Sequence, residues 1–380
     1  MTEEKSQRRS VWIVAGETSG DGYGASLARE LHRLAPELTV RGMGGSQMRA
    51  AGVETFVDST ELGIIGFWEC LKHLFFFMGL LRRMTKRAAE ERPETVVLID
   101  YPGFNLQLAK RLHKLGIRVV WYVSPQVWAW KTGRIWKLAR YCSEMLCIFP
   151  FEPRCYEPTT LKARFVGHPL FEILRPYMET LADRDENLVL LLPGSRRQEL
   201  HRLMPEFVGA AVDLHRRNPS LRFHFALPRQ AILEYARQLL SEMALPEGAP
   251  EFTWSCGDTR EMMRKGSCAI AASGTVTVEA AMLGLPVVVA YKISPFSWWV
   301  GKRLIKIDTI TIANLVCGRT VFEEVLQERC TGENLADALA KILPGGERRE
   351  AVLQGMDEFT RLLGAAGAVS ENVARIVAQK

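Results

Sequence analysis

Two Rossmann-like parallel-sheet domains with a cleft between them, an α/β fold, are what this 380-residue sequence predicts. Three observations carry that prediction. A short apolar run enters a small-residue turn and then a helical pattern in residues 11–34, again in 188–204, and again in 268–292. Runs of this kind alternate with helical segments in both halves, which is the signature of right-handed βαβ crossovers. The length is also large for a single core.

The elements follow in order. Strands are predicted at 11–15, 39–43, 53–57, 95–100, 117–124, 145–151 and 163–167, each Val/Ile-rich as if buried on both faces. Leu27, Leu31 and Leu34 fall on one helical face, as do Leu108, Leu112 and Leu115, with Gly116 as a stop. A Pro-containing stretch that turns acidic, 167–187, breaks the pattern. Strands resume at 188 and recur at 221–227, 252–255, 268–273 and 286–292, with none expected after about 320. The tail is helical, with Leu335, Leu339 and Ile342 on one face and Gly/Pro punctuation at 344–346. The predicted division is 1–168, 169–340 and a tail 341–380 that can pack back on the first domain.

Net charge is +6 and 47% of residues are hydrophobic. That balance suits anionic substrates or an anionic membrane surface, and no nucleic-acid-binding signature accompanies it. The eight Cys are scattered, with no C-x-x-C pair and no zinc-like Cys/His spacing. They read as reduced core thiols of a cytosolic protein. The polar start MTEEKSQRRS, followed by five apolar residues, does not read as a signal peptide.

Residues 62–87 combine Phe75, Phe76, Phe77, Met78, Leu80 and Leu81 with Arg82, Arg83, Lys86 and Arg87. The longest run without a charge or His, 74–81, is far short of the ~20 residues a span needs. Apolar residues beside a basic cluster fit an interfacial helix on anionic lipid; the alternative is a buried helix. Residues 294–307 repeat the theme with Trp298, Trp299, Lys302, Arg303 and Lys306.

Four turns carry candidate chemistry. In GETSGD, Gly16 and Gly20 allow a tight turn, while Glu17 and Asp21 would repel phosphate. Glu17, Thr18, Ser19 and Asp21 therefore fit sugar hydroxyls, or else helix capping. In LIDYPGFN, Asp100 ends a buried strand on the ligand side of a parallel sheet. A partly desolvated carboxylate there serves as a general base; capping of the next helix is the alternative. In PGSRRQEL, Gly194 and Ser195 open a helix suited to a diphosphate, and Arg196 can clamp it. In ASGTVTVEAA, Ser273, Gly274 and Thr275 form the turn. Glu279 lies one turn into that helix, with Leu283 at i+4 and no partner evident, and can accept from ribose hydroxyls. His168 reads as structural, and the Trp-rich 122–137 as an acceptor wall or packing.

Together these strings resemble the lipid-A-disaccharide synthase family. GETSGD, GMGG…M, LIDYPGFN, YVSPQVWAWK, FVGHPL, LLPGSRRQE, ASGTVTVEAAMLGLPVVVAYK and NLVCGR occur in that order from about 11 to 330. The resemblance implies a GT-B type glycosyltransferase without metal or other cofactor. It would join UDP-2,3-diacylglucosamine to 2,3-diacylglucosamine 1-phosphate at the cytoplasmic face of the inner membrane, forming a β-1,6 disaccharide and UDP. The family's essential Asp falls on Asp100, and its acceptor loop on Glu17, Thr18, Ser19 and Asp21. Its UDP-side residues fall on Arg196, Glu279, Asn314 and Arg319. Members often read D-x-P-D-F-N, and Gly103 stands here at the second Asp. A homodimer stays open. The rivals are another UDP-sugar transferase or epimerase of the same fold, and a peripheral membrane protein that binds a nucleotide without catalysis.

Overall fold

The computed structural model describes residues 9–59, 70–180, 183–294, 298, 309–364 and 367–379, the side chains of 70–74 excepted. The chain divides into two compact units, 1–169 with 365–380, and 170–364.

The first unit is a seven-stranded sheet in the order β3-β2-β1-β4-β5-β6-β7, every pairing parallel. Its strands are β1 Ser10–Ala15, β2 Thr39–Gly44, β3 Glu54–Asp58, β4 Thr95–Ile99, β5 Arg118–Tyr122, β6 Glu144–Cys147 and β7 Lys162–Phe165. The crossovers are α1 Thr18–Leu34, α2 Ser46–Ala50, α3 Cys70–Glu91, α4 Pro102–Lys114 and α5 Arg134–Tyr141. β4 is buried at all five positions, which is why it reads as an unbroken apolar run. α4 ends at Lys114, and Gly116 (φ +70°) takes the left-handed turn beyond it.

The second unit holds six parallel strands in the order β10-β9-β8-β11-β12-β13. They are β8 Asp185–Leu192, β9 Arg222–Leu227, β10 Phe252–Cys256, β11 Gly266–Ala272, β12 Val287–Tyr291 and β13 Glu324–Leu326. Its helices are α6 Leu170–Met178, α7 Arg197–Arg217, α8 Gln230–Ser241, α9 Thr259–Lys265, α10 Thr275–Met282, α11 Ile312–Cys317, α12 Gly332–Ala340 and α13 Arg349–Gly364. β13 corrects the expectation of no strand after 320: at three residues it is too short to leave an apolar run.

The tail splits. α13 packs on α10 and α11 and stays with the second unit. α14, Val369–Ala378, packs on α1 in the first unit. Arg118 of β5 holds its end by donating to the carbonyls of Ile376 (3.0 Å) and Gln379 (2.8 Å).

α3 corrects the lipid-facing assignment. Leu80, Leu81, Met84 and Ala88 are buried in the first core beside Leu108 and Leu112 of α4 and Leu138 of α5. Burial of each Leu is worth roughly 1.5–3 kcal/mol relative to leaving it exposed. Phe77 packs on the same core, whereas Phe75 and Phe76 are exposed, as are Arg82 and Arg83. Residues 62–69 and all of 294–307 except Ser294 and Trp298 lie outside the described residues. Among the described residues no helix is long and apolar enough to cross a membrane. The thiols divide: Cys142, Cys147, Cys268 and Cys330 are buried, Cys155 and Cys317 half-buried, and Cys256 is exposed rather than in a core.

Candidate active site

In each sheet the strand order reverses between two neighbours, and ligands of parallel α/β sheets bind outside the carboxyl ends of such strands. In the first unit those neighbours are β1 and β4. Their loops are 16–17 and 100–101, so the topology brings Glu17 and Asp100 together.

The loop after β1 divides by residue. Glu17, Thr18 and Ser19 are exposed. Glu17 occupies the N-cap of α1 without a side-chain cap bond, and the capping expected of this turn is found only at Asp21, on another helix. Asp21 is turned inward, which corrects its assignment to the acceptor. Its carboxylate accepts from the backbone N–H of Gly45 (2.6 Å), Gln47 (3.0 Å) and Met48 (3.1 Å). It caps α2, a helix 24 residues on, and has no room left for a sugar. Gly16 matters for lack of a side chain: a Cβ there would overlap the Tyr101 ring.

Asp100 follows β4 directly. Its N–H continues the ladder to the Tyr122 carbonyl (3.0 Å), and its backbone then turns left-handed at φ +45°. Tyr101 repeats the turn at φ +48° and is the N-cap of α4, so Asp100 is not that cap residue. Two consecutive non-glycine residues in this region cost about 1–3 kcal/mol each. Buried Asn105 braces the turn by donating to the carbonyls of Ile99 (3.2 Å) and Asp100 (2.8 Å). Just past the end of the neighbouring strand β5, Val123, a β-branched residue, sits at φ +70°. Strain is thus gathered at the carboxyl ends of β4 and β5. Burial, and then the Glu17 carboxylate, raise the Asp100 carboxyl to about 6, against a hydrogen bond from the Tyr101 backbone. An Asp at 103 would meet no crowding, since a Cβ on Gly103 faces open space.

One buried acid was missed. Glu152 follows β6 and accepts from the N–H of Ile148 and Phe149, both at 3.0 Å. Burial outweighs those bonds and pushes its carboxyl up to about 8. Its place five residues past the end of β6 resembles any loop acid, so nothing in the sequence marked it. His168 is buried, its imidazole held down at about 3 by burial, and rests 5.2 Å from the Phe149 ring. That agrees with a structural role.

In the second unit the reversal lies between β8 and β11, and the two predicted turns follow those strands. They differ. Glu199 fills the first: its carboxylate accepts from the N–H of Ser195 (3.0 Å) and Arg196 (3.2 Å) and pairs with the Arg196 guanidinium (2.9 Å). The cation at this helix N-terminus therefore already has an anion, supplied by the chain itself. Gly194 (φ +112°) leaves room for that carboxylate. The second turn is open, since a Cβ on Gly274 would meet nothing within 4 Å. Thr275 starts α10 behind it, and the Ser273 N–H is held by the Ala290 carbonyl (3.1 Å). Glu279 has the partner the sequence did not reveal, Arg260 of α9 at 2.7 Å.

Asn314 is buried and committed. Its carbonyl accepts from Val321 and Phe322 N–H (2.8 and 2.9 Å), and its amide donates to the Phe322 carbonyl (2.9 Å). This corrects direct UDP contact by that side chain to a loop-fixing role. Arg319 is half-exposed and paired with Glu358 at 2.8 Å. In the Trp-rich 122–137, Trp130 and Trp136 are exposed, so that segment is not plain packing.

A two-sheet architecture with its turns at the switch points is that of the GT-B glycosyltransferases. Solved structures agree on the fold. UDP-GlcNAc 2-epimerase from Neisseria meningitidis bound to UDP-GlcNAc aligns at TM-score 0.66, covering 98% of this chain and 100% of that one at 13% identity. Acinetobacter baumannii MurG aligns at TM-score 0.57, covering 97% and 99%, also at 13% identity. At that identity the likeness shows the fold alone. Sequence relatives go further. Lipid-A-disaccharide synthases of Koribacter versatilis and Geobacter sulfurreducens are both 38% identical, over 97% of this chain and 97% of the first, and over 99% and 98% for the second. The profile of the Lipid-A-disaccharide synthetase family matches residues 11–377. The chain belongs to that family and is a glycosyltransferase of the lipid A disaccharide step.

Proposed function

We propose that this enzyme transfers the sugar of UDP-2,3-diacylglucosamine to the 6-hydroxyl of 2,3-diacylglucosamine 1-phosphate. The observation that carries this is Asp100, a carboxylate at a switch-point strand end, poised near neutrality and held there by a strained, braced turn. Asp100 takes the proton of the acceptor hydroxyl as its oxygen attacks the anomeric carbon. The C1–O bond to the diphosphate breaks with inversion, and UDP leaves. Glu17, Thr18 and Ser19 meet acceptor hydroxyls.

On the donor side, the open N-terminus of α10 at Ser273, Gly274 and Thr275 holds phosphate oxygens. Glu279, oriented by Arg260, accepts from the ribose. Gly194, Ser195 and Arg196 join the diphosphate only when Glu199 gives way. Asn314 and Arg319 act by shaping the loop beside the nucleotide. Phe75 and Phe76, with Arg82 and Arg83, rest on the anionic cytoplasmic face of the inner membrane.

Incubation with both substrates tests the reading. One UDP and one disaccharide 1-phosphate per donor consumed are expected. Conversion of the donor to an epimer without acceptor would instead assign the protein to the epimerases that share its fold.

A further inference from the structure

The loop after β5, residues 123–133, is the immediate neighbour of the base. Tyr122, the last residue of β5, pairs with Ile99, and its carbonyl accepts from the Asp100 N–H. The loop therefore departs one strand spacing, ~4.8 Å, from the Asp100 turn. It is built rather than slack. Ser124 shares a hydrogen bond with the Tyr156 hydroxyl (2.8 Å), and Trp128 packs edge-on against Phe151. The N–H of Ala129 and of Trp130 donate to the Gln126 carbonyl (3.1 and 3.2 Å), and the Arg134 N–H donates to the Lys131 carbonyl (2.9 Å). At the tip Lys131 takes a left-handed backbone, φ +52°.

That tip gathers two cations on one ring. Trp130 is 40% exposed, and the Lys131 ammonium lies 4.3 Å and the Arg134 guanidinium 5.2 Å from its centroid. The two charges are thus no farther apart than about a Debye length, and they repel. Among the described residues neither is paired with a carboxylate. The arginines of the second unit's candidate site differ: Arg196 is paired with Glu199, Arg260 with Glu279 and Arg319 with Glu358. Around the base the other ionisable groups are acids, Glu17 and Glu152 beside Asp100 itself, and they repel a phosphate. A phosphorylated acceptor needs cations within reach of this turn, and the loop after β5 supplies them.

We propose that Lys131 and Arg134 form the subsite for the acceptor's phosphate and select a phosphorylated acceptor over its neutral counterpart. The proposal rests on the reading of Asp100 as the base and of the acceptor as a sugar phosphate. With its phosphate on this loop, the sugar extends toward β4 and brings the hydroxyl at its far end to Asp100. The Trp130 ring holds both cations before the ligand arrives, which lowers the ordering cost of binding.

The test compares 2,3-diacylglucosamine 1-phosphate with 2,3-diacylglucosamine lacking the phosphate, with UDP release as readout. The ratio of their kcat/KM values is the phosphate preference, expected to be about a hundredfold in the parent. Lys131→Asn removes the charge while keeping a residue that tolerates the left-handed backbone. Lys131→Asn and Arg134→Gln should each lower the preference about tenfold, mainly through KM of the phosphorylated acceptor, while KM for the donor stays put. Lys131→Arg should keep it.

Equal loss with both acceptors, or an unchanged preference in both variants, overturns the subsite. So does a loss confined to co-sedimentation with anionic liposomes, which would give the pair to lipid head groups. A parent enzyme that turns over both acceptors without preference sinks the subsite alone. A parent that releases no UDP with either sinks the transfer reading and the subsite with it.

Discussion

Asp100 and Glu279 are carboxylates beside corresponding switch points of the two sheets, and their surroundings are opposite in sign. Asp100 has the carboxylate of Glu17 for a neighbour and sits on strained backbone. Glu279 has the guanidinium of Arg260 at 2.7 Å and sits on relaxed helix. A group with a like charge beside it gains by taking a proton; a carboxylate hydrogen-bonded to a guanidinium is held in one orientation. The first arrangement suits a base and the second suits a ligand, so one fold performs both tasks by choosing neighbours rather than residue types.

The largest expected effect breaks the comparison at its reactive end. Asp100→Asn should lower kcat by about 10²–10⁴ while UDP still binds. It should also stabilise the protein. The folded-state carboxyl titrates near 6, above its ordinary value, so stability falls as pH rises from about 4 to 6 and the full cost stays in place above that. Asn removes a cost of roughly 1–3 kcal/mol at pH 7.5, and its advantage in melting temperature should vanish near pH 4. Near-normal turnover of the Asn variant would return Asp100 to a structural role.

Next comes the ligand end. Glu279→Gln should weaken UDP binding about tenfold by titration calorimetry, and Arg260→Gln by a smaller factor, since it frees Glu279 without deleting it. Unchanged affinity in both would remove the second unit's half of the contrast. The surface gives a smaller signal. Phe75→Ser with Phe76→Ser should reduce co-sedimentation with anionic liposomes and leave the melt unchanged, whereas Phe77→Ser should lower the melting temperature. A collapse of the melt in the double variant would put those residues back in the core. The finest probe is Glu17→Gln. With the like charge gone, the acid limb of kcat/KM against pH should move below its parent position near 6. A limb that stays in place would leave burial as the sole cause.

These contrasts were unequally legible in the sequence. Parallel strands buried on both faces are apolar runs, so β1, β4, β8 and β11 could be read directly, and Asp100 with them. What stayed hidden depends on partners brought close by the fold. Asp21 looks like a loop acid until β1 and β2 pair and place the start of α2 over it. Arg260 precedes Glu279 by 19 residues on another helix, beyond any local spacing rule. Leu80 and Leu81 were readable in principle: Leu80, Met84 and Ala88 follow the four-residue period of a buried face, which the run of Phe beside them obscured.

The return of α14 to the first unit has a consequence for synthesis. The strands of that unit leave the ribosome early, but the helix that covers α1 follows only after the whole second unit, about 200 residues later. At about 5–20 residues per second that is an interval of roughly 10–40 s. Throughout it, the face of α1 that will meet Val373 and Val377 is bare, and Arg118 lacks the carbonyls it will hold. The nascent first domain is therefore a client for whatever shields apolar surface near the exit tunnel, and its last folding step waits until the second unit has been made.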